Sequence, residues 1–166
     1  MIKFRLILFV LAASMLLFNS CEKIAGHATG ASGSTTGGTT TGSGTLTFNV
    51  DGVAKTSALT VGVYSASLGF LQISGQVGSV SSTEGLSITI QNPAVGTFPI
   101  TANNTLCIYT TTTANDSWFG ATGSVIITSF TSDTVTGTFS FVAGTFSGTA
   151  TKNITNGVFN VKYTKQ

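Results

Sequence analysis

The 166-residue chain is 42% hydrophobic but only 7% charged, with seven Lys or Arg against five Asp or Glu, a net charge of +2 and a mean hydropathy of +0.40. Charge this sparse supplies no basic footprint, which excludes nucleic acid as a partner. One histidine and two cysteines provide no ligand cluster for a metal and no positioned imidazole for a Ser-His-Asp or Cys-His nucleophile, so no metal, no cofactor and no enzymatic activity are expected.

At the N-terminus, Lys3 and Arg5 precede an apolar run from Leu6 to Phe18, followed by Asn19-Ser20-Cys21. The run falls short of the roughly 18–20 residues that a helix needs to cross a bilayer, and it sits behind positive charges. Residues 1–20 therefore read as a lipoprotein signal peptide that is removed. Cysteine must be the first mature residue in such processing, because its thiol takes a diacylglycerol and its freed amine a further acyl chain. Cys21 is the expected lipidation site, although Phe18 and Asn19 stand where Leu and a small residue are commoner. At about 0.8 kcal/mol per buried methylene, two or three acyl chains hold a protein permanently at a bilayer. The membrane is then a partner through the lipid anchor, and the expected location is the outer membrane, on its periplasmic or its cell-surface face.

Residues 21–44 combine that cysteine with a stretch made almost wholly of Gly, Ser, Thr and Ala. This composition cannot bury enough apolar surface to offset its ordering entropy, which predicts a disordered tether with a reach near 25 Å. His27 lies within it and reads as a spacer residue. After Cys21 the charges cancel, Lys23, Lys55, Lys152, Lys162 and Lys165 standing against Glu22, Asp51, Glu84, Asp116 and Asp133.

Residues 45–166 alternate apolar and small polar residues without a sustained helical period, which predicts an antiparallel all-β domain of about eight or nine strands, a β-sandwich or a barrel. Leu46, Phe48 and Val50 mark one face of a first strand, and Asp51-Gly52 supplies the positive φ angles of a tight hairpin turn. Further strands are expected near residues 57–64 and 70–77, then through Leu86, Ile88 and Ile90 until Asn92-Pro93. Pro99 cannot donate to a ladder, so Gly96–Ile100 reads as an edge piece. Asn103-Asn104 turns the chain into a strand at Leu106–Thr111, where Cys107 reads as a small core residue. Residues 112–119 read as an exposed loop, 122–130 as a long strand, and Ser132-Asp133 as the turn before Val135, Phe139 and Phe141. Asn156-Gly157 is expected to turn the chain into a last strand bearing Phe159, Val161 and Tyr163.

Phe48-Asn49-Val50-Asp51-Gly52, Gly96-Thr97-Phe98 and Gly123-Ser124-Val125-Ile126-Ile127-Thr128 recur in one recognisable combination. With them go Thr136-Gly137-Thr138-Phe139-Ser140-Phe141 and Ile154-Thr155-Asn156-Gly157-Val158-Phe159-Asn160-Val161. Together these resemble a family of Bacteroidota lipoproteins classed as domain of unknown function 6252. A departure is Ala54-Lys55-Thr56, where that family often carries a Trp shortly after the Asp-Gly turn. The resemblance implies location and architecture and brings no activity.

For binding, Trp118 and Phe119 beside Asn115 and Asp116 place aromatic faces next to amide and carboxylate groups, a combination suited to sugar rings; the alternative is that both rings fold inward to cap the core. The leading expectation is a non-enzymatic binding or structural domain that contacts a glycan or another envelope protein, and the alternative is a glycan-binding module using the Trp118 loop. Asp116 and Asp133 are the acids that would have to meet in a carboxylate-pair hydrolase. Asp133-Thr134-Val135 resembles an O-glycosylation motif of exported proteins, with Thr134 as acceptor.

Overall fold

A computed structural model describes residues 44–166 apart from residues 102, 114, 115, 147 and 149. The signal peptide, Cys21 and the tether lie outside the described residues. Among the described residues every regular element is a strand: β1 (Gly44–Val50), β2 (Val53–Ser65), β3 (Phe70–Val77), β4 (Gly85–Gln91), β5 (Gly96–Pro99), β6 (Thr105–Thr110), β7 (Ser117–Phe130), β8 (Thr134–Gly144) and β9 (Thr151–Lys165).

Hydrogen-bonded neighbours run β7-β6-β4-β3-β2-β1-β9-β8, and β8 pairs back onto β7, which closes an eight-stranded antiparallel barrel. The choice between sandwich and barrel is thereby settled for the barrel. The ninth strand, β5, continues the line of β6 along the same edge of β7, pairing Gly96–Pro99 with Ile127–Ser124. It is an edge strand ending in proline, as its sequence predicts. Beyond the start of β1, β2 and β9 meet directly in a short parallel pairing of Gly62, Val63 and Tyr64 with Tyr163, Thr164 and Lys165.

An eight-stranded barrel has an interior just wide enough for side chains to fill. Leu46, Phe48, Leu71, Ile73, Ile88, Ile90, Val125, Ile127, Ile154, Phe159 and Val161 all point inward and are essentially inaccessible. Phe139 packs at the centre, with ring centroids 6.1 Å from Phe48, 6.2 Å from Phe141 and 6.4 Å from Phe159. Two cross-strand pairs explain the glycines of this region. Gly137 faces Phe159 and Phe139 faces Gly157, and a Cβ on either glycine would come within 2.4 Å of the opposing ring. Each phenylalanine thus occupies the space its partner glycine leaves empty.

The Asp51-Gly52 turn forms as its sequence requires, with φ values of 50° and 84°. Two segments differ from expectation. The segment 112–119 is not loop throughout, because β7 begins at Ser117 and Trp118 and Phe119 pair with Tyr109 and Ile108 of β6. A bulge between Gly120 and Thr122 then switches the side-chain alternation, so that Trp118 and Val125 both face inward. Asn156-Gly157 is a bulge inside β9 and not a turn. Asn156 takes a φ of 53°, and the register slips there against both β1 and β8. The extra residue lets Ile154 and Phe159, an odd number of positions apart, share the inner face.

Candidate functional site

The β1–β2 hairpin and the β3–β4, β6–β7 and β8–β9 loops all lie at one mouth of the barrel. There the fold gathers Asp51, Lys55, Glu84, Asp116 and Lys152 around Tyr109 and Trp118. The remaining charges of the barrel, Asp133, Lys162 and Lys165, lie toward the other mouth, at the β7–β8 turn and the end of β9.

Tyr109 points inward from β6, packs edge-on against Phe48 at 6.2 Å, and donates its hydroxyl hydrogen to Glu84 Oε1 at 2.6 Å. Lys55 Nζ reaches the same oxygen at 2.8 Å. Burial alone would raise the Glu84 carboxyl, but the hydrogen bonds from Lys55 and Tyr109 and the lysine charge outweigh it and hold the group below the ordinary glutamate value. Burial, the Glu84 bond and charge, and the nearby charges of Asp116 and Asp51 push the Tyr109 phenol well above its usual range.

On the far side of the mouth, Lys152 Nζ lies 4.6 Å from the Trp118 ring centroid and 3.7 Å from Asp51 Oδ2. Asp51 is fixed by a reciprocal pair: its Oδ1 accepts from the Asn153 N–H at 2.8 Å, and its own N–H donates to the Asn153 carbonyl at 2.9 Å. Asp116 accepts from the Thr111 hydroxyl at 2.6 Å. That hydroxyl, the Trp118 N–H and the Lys152 charge keep the Asp116 carboxyl low. The Trp118 N–H nevertheless falls short of a regular hydrogen bond, and Nε1 is shielded from solvent without an acceptor.

The residues singled out from sequence are distributed as follows. Trp118 faces inward and is 9% exposed. Phe119, its neighbour on β7, faces outward and is half-buried, so the two rings do not share a face. Asp116 stands at the rim beside Trp118, and Asn115 lies outside the described residues. Asp133 is at the opposite end of the barrel from Asp116, so these two carboxylates cannot flank one scissile bond. Thr134, half-buried at the start of β8, donates its hydroxyl hydrogen to Asp133 Oδ1 at 3.1 Å. Cys107 is fully buried, and burial pushes its thiol up to about 12.

Lys55, Glu84, Tyr109 and Lys152 carry no local motif and were not separable from other surface polar residues by pattern. Only their strand ends, brought to one rim by barrel closure, make them a group. Chemically the group is a set of engaged charges: Glu84 and Asp51 each hold a lysine, and Asp116 holds a hydroxyl. It closes the apolar core under a polar cover.

Residues 57–161 match a family described as Domain of unknown function (DUF6252). The chain belongs to this family. The DUF6252 match runs from the middle of β2 to late β9 and leaves β1 outside. No curated protein and no solved structure matches the chain.

Proposed function

We propose that this DUF6252 protein is a lipid-anchored outer-membrane or cell-surface lipoprotein whose barrel acts by non-covalent contact, as a binding or structural module, and not by catalysis. The observation that carries this reading is the filled interior. Phe48, Phe139 and Phe159, each at most 3% exposed, occupy the space in which a carrier barrel would hold a ligand. Contact is then made by the rims and the outer wall, which present Ser, Thr, Asn and Gln with few charges. A leader ending in Ser20-Cys21 supports the anchor. Expression of the full chain in a bacterium, labelling with an alkyne palmitate analogue and membrane fractionation test it. Wild type is expected to take the label and float with membranes, and Cys21→Ser to lose both. An unlabelled, soluble wild type refutes the anchor.

A glycan-binding reading has one supporting feature, the aromatic face of Trp118 beside Asp116 at a rim. A sugar stacking there would have to displace Lys152 from the ring. As Trp118 is the single tryptophan, its fluorescence across a glycan panel reads this directly, and unchanged emission refutes it.

A further inference from the structure

We propose that the mouth opposite the charge cluster is a lipid-docking surface, so that the barrel rests on its own membrane with the Trp118 mouth facing away. This deepens the lipoprotein reading and rests on it. Its first support is where the chain enters. β1 runs from Gly44 toward the Asp51 turn, so Gly44 is at the end of β1 remote from the charge cluster, and Gly44 and Thr45 are exposed. The β2–β9 parallel pairing seals the wall just beyond Gly44, so Gly44 is the point at which the chain enters the wall.

The second support is reach. About 20 residues of Gly/Ser/Thr-rich sequence separate Cys21 from Gly44, and flexible linkers of that length and composition have a root-mean-square span near 25 Å. A tilted wall strand of this fold spans about 30 Å of barrel height. With the Gly44 end down, only the gap between barrel and bilayer has to be spanned; with the other end down, the height of the barrel has to be spanned as well. On a tether this short, the docking face sees the bilayer at an effective concentration on the order of millimolar, enough for a weak contact to persist.

The third support is chemistry. Leu68, 66% exposed, and Val95, 65% exposed, project from the β2–β3 and β4–β5 loops of this rim. These loops touch, since the Asn92 N–H donates to the Gly69 carbonyl at 2.6 Å. Behind them Tyr64, Phe130 and Tyr163 form an aromatic cluster with centroids 5.5–5.7 Å apart, of which Tyr64 and Phe130 are half-buried. Tyr64, with an apolar ring and a polar tip, suits the headgroup boundary, while the Tyr163 hydroxyl is held by the Thr131 carbonyl. Lys162 and Lys165 outnumber Asp133 here, which favours anionic headgroups. The opposite mouth also exposes Val53, Val80 and Phe146, but there three acids stand against two lysines.

The test uses the full-length lipidated protein in vesicles of phosphatidylethanolamine and phosphatidylglycerol. Cys107 is buried and Cys21 acylated, so a cysteine placed at Leu68→Cys or Val80→Cys takes an environment-sensitive fluorophore selectively. Flotation reports the anchor, and quenching by a lipid-borne quencher reports docking. The Leu68 label is expected to be quenched several-fold more than the Val80 label. Lys162→Glu with Lys165→Glu is expected to lower that quenching and leave flotation intact. Floating protein with equal quenching at both labels, or stronger quenching at Val80, overturns the docking and leaves the anchor standing. Protein that does not float overturns the anchor and the docking together.

Discussion

Gly157→Ala offers the sharpest check on the packing of the barrel. Gly157 is not in the left-handed region, so alanine suits its backbone and on that account alone would stabilise by about 0.4–1 kcal/mol through the unfolded chain. Against this, the new methyl would lie 2.4 Å from the Phe139 ring, about 1 Å closer than ordinary contact. That ring cannot retreat freely, because Phe48, Phe141 and Phe159 surround it. Overpacking of this kind costs about 1–3 kcal/mol, leaving a net loss of up to about 2.6 kcal/mol. For a domain of this size that is a fall in Tm of up to roughly 10 °C. In a Phe139→Leu background the ring is gone, the conflict is relieved, and Gly157→Ala is expected to be neutral or mildly stabilising. Urea unfolding of the four proteins, followed by far-ultraviolet circular dichroism with unchanged m, yields a coupling energy of about 1–3 kcal/mol. Equal destabilisation in both backgrounds refutes a ring-on-glycine origin of the loss.

At the charged mouth, Glu84→Ala removes the acceptor of a buried phenol and the partner of Lys55, and is expected to cost about 2–4 kcal/mol in denaturant melts. Tyr109→Phe leaves Glu84 with Lys55 and is expected to cost less, about 1–2 kcal/mol. Glu84 and Asp116 are lowered in the folded protein, so the stability they contribute is complete above their unfolded values and is lost as pH falls through their folded values. Tm should hold near neutrality and drop below about pH 4, and a flat acid profile counts against both bonds. The phenols of Tyr109 and Tyr163 are raised by folding, so their contribution is complete below about pH 10 and declines above it as the unfolded chain ionises first. Cys107, buried and with its thiol up at about 12, should ignore an aromatic disulfide reagent at pH 8 until the barrel is unfolded, and prompt reaction of native protein contradicts its placement.

What could be read from the chain follows the range of the forces involved. Asp51-Gly52 is legible because a two-residue hairpin turn needs positive φ twice, a local demand that these residues meet. Leu86, Ile88 and Ile90 are legible because period-two alternation is unbroken through β4. Alternation fails as a guide where bulges reset it. In β7 the adjacent Trp118 and Phe119 look like a loop until the Gly120–Thr122 bulge is allowed for. Asn156-Gly157 has the same local preference as a hairpin turn. Only the ladders on either side of it, to β1 and β8, keep the chain running straight on. The mouth cluster was invisible for a related reason: Lys55, Tyr109 and Lys152 sit on three different strands and Glu84 in the β3–β4 loop, and their meeting is a property of closure.

β1 shows why the folded unit is wider than the family match. Residues 44–50 fall outside the matched 57–161, yet β1 is hydrogen-bonded on both sides, to β2 and to β9. It contributes Leu46, Phe48 and Val50 to the core, and Phe48 joins Tyr109 under the charged mouth to Phe139 at the centre. Without it β2 and β9 would meet only through three residue pairs, and the core would open to water along the rest of that seam. The barrel therefore starts at Gly44.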